Sequence, residues 1–89
     1  MKTKEFLSEA IRLSGTDRQK DYGDKTENHS NIARLWSAYL DVKIEAHDVA
    51  LMMALLKMAR TKLGAVSKDT YIDMSAYSAI AGEIKFGGK

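Results

Sequence analysis

Hydrophobic residues recur at helical spacing in four segments of this chain, separated by polar stretches. The clearest is the second, where apolar residues follow the i, i+3, i+4, i+7, i+8 pattern of an amphipathic helix, at Ile32, Leu35, Trp36, Tyr39 and Leu40. Glycines and short polar residues between the segments are typical of helix ends. The pattern predicts helices from about Lys4 to Ser14, from Asp24–Thr26 to Leu40, from about Glu45 to Gly64, and from about Asp69 to Ile84.

The third helix has an unusual pattern, because eight consecutive residues from Val49 to Leu56 are apolar. A helix without a polar face is normally buried on every side, so we expect this one to be the central helix of the fold. The same surface would also suit burial against a second copy of the chain.

The composition supports one small all-α domain. The chain has 89 residues, no proline and no cysteine, so neither a disulfide framework nor a cysteine-based zinc site can stabilise it. We expect a compact bundle of about four helices over residues 1–89, with residues 1–3 and 85–89 frayed. Because a domain of this size has a thin stability margin, self-association is a common further support, and we expect a homo-oligomer.

Charge and hydropathy exclude several classes of partner. The net charge is +2 and the basic residues are dispersed, which gives no strong electrostatic footprint for nucleic acid. The residues from Met1 to Leu7 lack the apolar stretch of a signal peptide, and the eight-residue run is too short to cross a bilayer. We therefore expect a cytoplasmic protein without a membrane partner.

The first candidate site is the polar loop 17–24, which reads DRQKDYGD. Arg18 and Lys20 carry donors suited to phosphate, Tyr22 could stack on a base, and Gly23 allows the chain to approach a ligand closely. The alternative is an ordinary solvated loop that is rich in charge because it is exposed.

The second candidate lies between the third and fourth helices. Lys57 and Arg60, near the end of the third helix, should face three polar residues spaced i, i+4, i+8 on the fourth, which are Asp69, Asp73 and Tyr77. The cations could hold phosphates while the carboxylates bind a metal or a sugar hydroxyl. Alternatively, the same residues could form interhelical ion pairs at the rim of the bundle.

A third possibility is a metal site. Glu45 and Asp48 on one helix, with Asp69 and Asp73 on the next, could converge on Mg²⁺, which prefers oxygen ligands. Acids in a first turn are also common because they complement the helix dipole. His29 is expected to be a satisfied surface histidine. The sequence contains no Ser-His-Asp arrangement, P-loop or HExxH motif.

The ordered segments DRQKDYGD, ENHSNIARLWSAYL, DVALMMALLKMAR and DTYIDMSAYSAIAGE resemble a family of small uncharacterised proteins encoded mainly by phages and prophages. More distantly, the arrangement is similar to the all-α nucleoside triphosphate pyrophosphohydrolases of the MazG type and to phage nucleotide-modification-associated domains. The resemblance implies a helical, oligomeric protein in the bacterial host cell that holds a nucleotide between helices. The implied ligand contacts are Arg18, Lys20, Tyr22, Asn28, Lys57, Arg60, Asp69, Asp73 and Tyr77.

The chain departs from the MazG pattern in its acidic residues. MazG-type enzymes resemble one another in an ExxE pair and an ExxD pair that hold Mg²⁺, whereas Leu51 and Met52 stand here one turn beyond Glu45 and Asp48. We therefore expect a nucleotide binder that sequesters its ligand without turnover, the ligand being a host-defence signal. One alternative is a Mg²⁺-dependent pyrophosphohydrolase with Asp48, Asp69 and Asp73 as metal ligands. The other is an inhibitor that contacts a host protein through its charged loop.

Overall fold

In the computed structural model of the chain, residues 1–14, 24–64 and 67–87 are described, and they form four helices without any strand. The helices are α1 (Thr3–Ser14), α2 (Lys25–Leu40), α3 (Ala46–Leu63) and α4 (Lys68–Phe86). The prediction of an all-α bundle of four helices is confirmed. Each predicted boundary lies within two residues of the observed one, and α4 continues past the predicted end at Ile84 to Phe86.

Local hydrogen bonds explain where α2 begins and how it connects to α3. The Asp24 carboxylate accepts hydrogen bonds from the backbone N–H groups of Thr26 at 2.8 Å and Glu27 at 3.0 Å, so it caps the helix as the sequence suggested. After α2, Asp41 adopts a left-handed conformation with φ of 56°. The Ser37 hydroxyl then accepts from the N–H of Ile44 at 2.8 Å and donates to its carbonyl at 3.2 Å, which fixes the short turn.

The two later helices form an αα-hairpin that organises the bundle. A short connection joins α3 to α4, so the two helices run antiparallel and make the most extensive interhelical contact; α1 packs against α4, and α2 packs against α3. Ala10, Ile72 and Ala76 form a buried cluster between α1 and α4, with Phe6 and Leu13 packed against it. Of the other buried apolar residues, Ala33 lies on α2, Val49 and Ala50 on α3, and Ala81 on α4.

The expectation that α3 is buried on every side is wrong for the single chain. Within its apolar run only Val49 and Ala50 are buried, whereas five larger apolar side chains of α3 are exposed, namely Leu51, Met52, Leu55, Leu56 and Met58. The reason is topological. Only α2 and α4 make extensive contact with α3, while α1 packs on α4 instead and leaves the outward side of α3 uncovered.

His29 is also not a surface residue, because only 8% of it is exposed. Its Nδ1 lies 2.7 Å from the backbone carbonyl of Lys25 one turn earlier, so the ring is satisfied within α2. None of the helices in the described parts of the chain has the length and apolar character needed to traverse a lipid bilayer.

Candidate functional site

An ion pair joins the two helices of the hairpin where the sequence predicted their polar residues to meet. Lys57 Nζ lies 3.2 Å from the Asp73 carboxylate, and the two side chains are only 16% and 19% exposed. The prediction that Lys57 faces Asp73 is confirmed, and the contact is the interhelical ion pair of the structural alternative. Because the helices are antiparallel, this contact also brings the last turns of α3 beside the first turns of α4.

Three more predicted residues lie around this pair. Arg60 follows Lys57 by one turn and is exposed, and it makes no ion pair with any residue in the described ranges. Asp69, one turn before Asp73 on α4, is also exposed, and Tyr77, one turn after it, is half-buried. The structure therefore places a cation, a neutralised ion pair and a carboxylate near the connected ends of the two helices, whereas Tyr77, the tenth of the 19 residues of α4, lies at the middle of that helix.

Asn28 does not belong to this group. It is exposed near the start of α2, one turn from Lys25, whose Nζ lies 3.0 Å from the Glu83 carboxylate near the end of α4. Ten residues of helix separate Glu83 from Asp73, which corresponds to about 15 Å along the axis. The structure thus places Asn28 towards the opposite end of α4 from Asp69.

The acidic residues considered for Mg²⁺ are likewise separated. Asp48 lies nine residues before Lys57 on α3, about 14 Å along the helix axis, whereas Asp73 contacts Lys57 directly. Ligands of one ion must all lie within a few ångströms of it. Asp48 is therefore not brought together with Asp69 and Asp73 within one chain.

Asp48 instead belongs to a cluster at the start of α3. Ligand atoms of Glu45, His47 and Asp48 lie within 4.8 Å of one another, an arrangement that could accommodate a cation. The cluster also has a structural explanation, because the Asp48 carboxylate accepts a hydrogen bond from the Glu45 backbone N–H at 3.0 Å and lies 3.4 Å from His47 Nε2. Carboxylates in a first turn further complement the helix dipole.

The predicted contacts of the DRQKDYGD loop, which are Arg18, Lys20 and Tyr22, lie outside the described residues. Their part in a binding site stays a prediction.

A cleft between α2 and the start of α3 was not anticipated from the sequence. It has a volume of about 370 Å³ and is largely open to solvent. Its lining comprises Ser30, Ala33, Arg34, Ser37, Ile44, Glu45 and Ala46. The sequence contained one signal for this cleft. Three polar residues have the i, i+4, i+7 spacing that places them on one helix face, namely Ser30, Arg34 and Ser37. Ser37 is already used by the turn, and an Arg34 Nη donates to the Asn31 side-chain oxygen at 3.1 Å.

Comparison with known proteins agrees with the phage resemblance. Over 76 residues the chain is 41% identical to the Gene 55 protein of Mycobacterium phage L5, and this alignment covers 84% of the chain and 49% of that protein. Over 73 residues it is 42% identical to the Gene 55 protein of Mycobacterium phage D29, and this alignment covers 82% of the chain and 48% of that protein. The chain spans about half the length of these curated relatives. No solved structure matches it.

The domain of unknown function DUF6378 matches residues 5–85, which include all four helices except the ends of α1 and α4. The resemblance to a small phage family is thereby confirmed, while the more distant similarity to MazG-type enzymes stays a prediction. The match covers far more than half of the chain, and the protein therefore belongs to the DUF6378 family.

Proposed function

We propose that this protein binds a nucleotide at the end of the α3–α4 hairpin and holds it without hydrolysing it. The observation that carries the proposal is the contact between Lys57 and Asp73, because it sets the end of α3, with Arg60, beside the start of α4, with Asp69. Tyr77 lies one turn beyond Asp73, towards the middle of α4. Cationic and hydrogen-bonding groups at one position are the chemistry that a phosphorylated, sugar-bearing ligand requires.

The geometry assigns different tasks to the two cations. Lys57 is already neutralised by Asp73 at 3.2 Å, so its charge is not available to a phosphate unless that pair opens. Arg60 is exposed, and its guanidinium offers planar donors that match phosphate oxygens. In this proposal Arg60 contacts phosphate, the ion pair holds the two helices in register, and Asp69 accepts from ribose hydroxyls.

The separation of the acidic residues supports the proposal that binding occurs without turnover. Hydrolysis in the MazG manner would need several carboxylates on one Mg²⁺, which neutralises charge and activates water. Asp48 lies about 14 Å along α3 from the level of Asp73, so Asp48, Asp69 and Asp73 cannot together ligate one ion within a chain. This geometry favours sequestration over the pyrophosphohydrolase alternative.

The proposal keeps the loop contacts Arg18, Lys20 and Tyr22, and it places the protein in the cytoplasm of the infected bacterium. In the infected cell, sequestering a nucleotide that acts as a signal in the host's defence would benefit the phage. Inhibition of a host protein through the charged loop remains the competing interpretation, and it requires no small ligand.

The first experiment is mass spectrometry of small molecules released from the purified protein, followed by incubation with linear and cyclic nucleotides with and without Mg²⁺. Recovery of an intact nucleotide that also raises the melting temperature supports the proposal. Release of pyrophosphate at ordinary enzyme rates would replace it by the enzyme alternative. A protein whose melting temperature responds to no nucleotide would contradict both interpretations.

Three single substitutions locate the site. Arg60→Ala should weaken nucleotide affinity at least tenfold, which corresponds to the loss of about one charge-assisted hydrogen bond. Lys43→Ala is the matched control, because Lys43 is a highly exposed cation on the turn before α3. Arg34→Ala tests the cleft between α2 and α3. If only the Arg34 variant loses affinity, the ligand binds in the cleft and the hairpin site is misassigned.

A further inference from the structure

We propose that the exposed face of α3 is the interface of a homodimer in which two copies of α3 pack antiparallel about a two-fold axis near Leu55. The outer face of α3 is defined here as Leu51, Met52, Leu55, Leu56 and Met58. This inference is independent of the nucleotide proposal, because it rests on apolar surface rather than on the polar end of the hairpin.

The polarity of α3 is inverted relative to that of a normal surface helix. Between Val49 and Ala59 the only polar residue is Lys57, and it points inward to Asp73. The outer face instead carries large apolar side chains, which are 44%, 37%, 59%, 43% and 52% exposed in chain order, while the smaller Val49 and Ala50 are completely buried. A surface helix of a monomer keeps its polar residues outside, so this face indicates a covered surface.

Spacing and charge select a second copy in one orientation. The outer face has the alternating four- and three-residue spacing of a helix–helix contact, at Leu51, Leu55 and Met58. The same spacing extends to Asp48 before these residues and to Lys62 after them. Antiparallel pairing about Leu55 places Asp48 opposite Lys62 of the partner subunit. Parallel pairing would instead place like charges opposite one another. The face is thus complementary to itself, as an isologous interface requires.

The first test is sedimentation equilibrium of the full chain between about 1 and 100 µM, compared with two matched variants. Leu55→Glu should raise the dimer dissociation constant at least a hundredfold, because two carboxylates would meet at the two-fold axis. Leu35→Glu is the control, since Leu35 is 63% exposed on α2 and lies off the outer face. Its dissociation constant should change less than about threefold. Circular dichroism verifies that each variant keeps its helices.

A cross-linking test determines the orientation, and the absence of native cysteine makes it clean. A mixture of the Asp48→Cys and Lys62→Cys variants should form disulfide-linked dimers on mild oxidation. Lys62→Cys alone should not, because its two copies would lie about 21 Å apart along the antiparallel helices. A wild-type monomer at 100 µM, an oligomer insensitive to Leu55→Glu, or efficient cross-linking of Lys62→Cys alone would each overturn the proposal.

Discussion

The ion pair between Lys57 and Asp73 offers the sharpest quantitative prediction about the packing of this protein. Lys57→Met keeps the aliphatic stem of the lysine and removes its charge, and Asp73→Asn keeps the shape of the carboxyl group and removes its charge. Together with the double variant, these changes form a double-mutant cycle that isolates the interaction between the two side chains.

The expected coupling energy follows from the geometry. At 3.2 Å, two unit charges attract by about 5 kcal/mol at the effective dielectric constant of 20 that suits protein sites. Desolvation offsets part of this attraction, since the side chains are 16% and 19% exposed. Exposed pairs contribute roughly 0–1 kcal/mol, and removing one partner of a buried pair costs about 3–5 kcal/mol. We expect a coupling energy of about 2 kcal/mol.

The assay is urea unfolding followed by circular dichroism, at one fixed protein concentration because oligomerisation shifts apparent stability. Each kcal/mol lost should lower the midpoint urea concentration by about 0.3–1 M, because the free energy of unfolding of a small domain falls by roughly 1–3 kcal/mol per molar urea. The double variant should be less destabilised than the sum of the two single variants predicts.

The second interhelical ion pair of the described residues serves as an internal control. Lys25 Nζ lies 3.0 Å from the Glu83 carboxylate, but these side chains are more exposed, at 25% and 48%. Its coupling should fall below about 1 kcal/mol, despite the shorter distance, because solvent screens it. A coupling of Lys57 with Asp73 below about 0.5 kcal/mol, or one smaller than that of Lys25 with Glu83, would refute the reasoning from burial.

The remaining predictions concern the cap of α2, the turn before α3 and two glycines of the C-terminal part of α4 and its cap, and each is measured by urea unfolding. Asp24→Ala should cost about 1 kcal/mol because α2 loses its capping acceptor, whereas Asp24→Asn keeps that acceptor and should change little. Ser37→Ala should cost about 1–2 kcal/mol, since it leaves both polar backbone groups of Ile44 without their partner. Gly82→Ala should stabilise the protein by about 0.5–1 kcal/mol, because this position is helical and has open space for a Cβ atom. Gly87→Ala should destabilise it by about 1 kcal/mol, because Gly87 has a φ of 67° that alanine adopts only with strain. Equal effects at the two glycines would contradict the backbone argument.

Part of the candidate site was predictable because it depends on residues close together in the chain. The i, i+4, i+8 spacing of Asp69, Asp73 and Tyr77 places them on one helix face, and a short connection makes two consecutive helices antiparallel. The contact between Lys57 and Asp73 follows from these two facts. By the same reasoning, the start of α3 lies at the opposite end of the hairpin from the start of α4. The sequence alone was therefore enough to predict that Asp48 lies far from Asp69 and Asp73 in the fold.

The cleft and the environment of His29 depend on how α2 lies against its neighbours. Periodicity marks the apolar stripe of α2, but it does not state how far the packing extends around the helix. His29 lies one turn before Ile32 on the same face as that stripe and is buried, with its ring satisfied by the carbonyl of Lys25, whereas Leu35 and Tyr39 of the stripe are exposed. Similarly, Ser30 and Arg34 line a cleft only because α3 begins directly beside them.

The sequence by itself determined the four helices, the Asp24 cap of α2 and the all-α class, because these depend on local spacing and on side chains that satisfy nearby backbone groups. It did not determine which side of α3 is covered. An unbroken apolar run has no periodic phase, so Val49 and Leu55 are equivalent until other helices pack against them. Only the tertiary structure, in which α2 and α4 occupy one side of α3 while α1 packs on α4, buries Val49 and leaves Leu55 exposed.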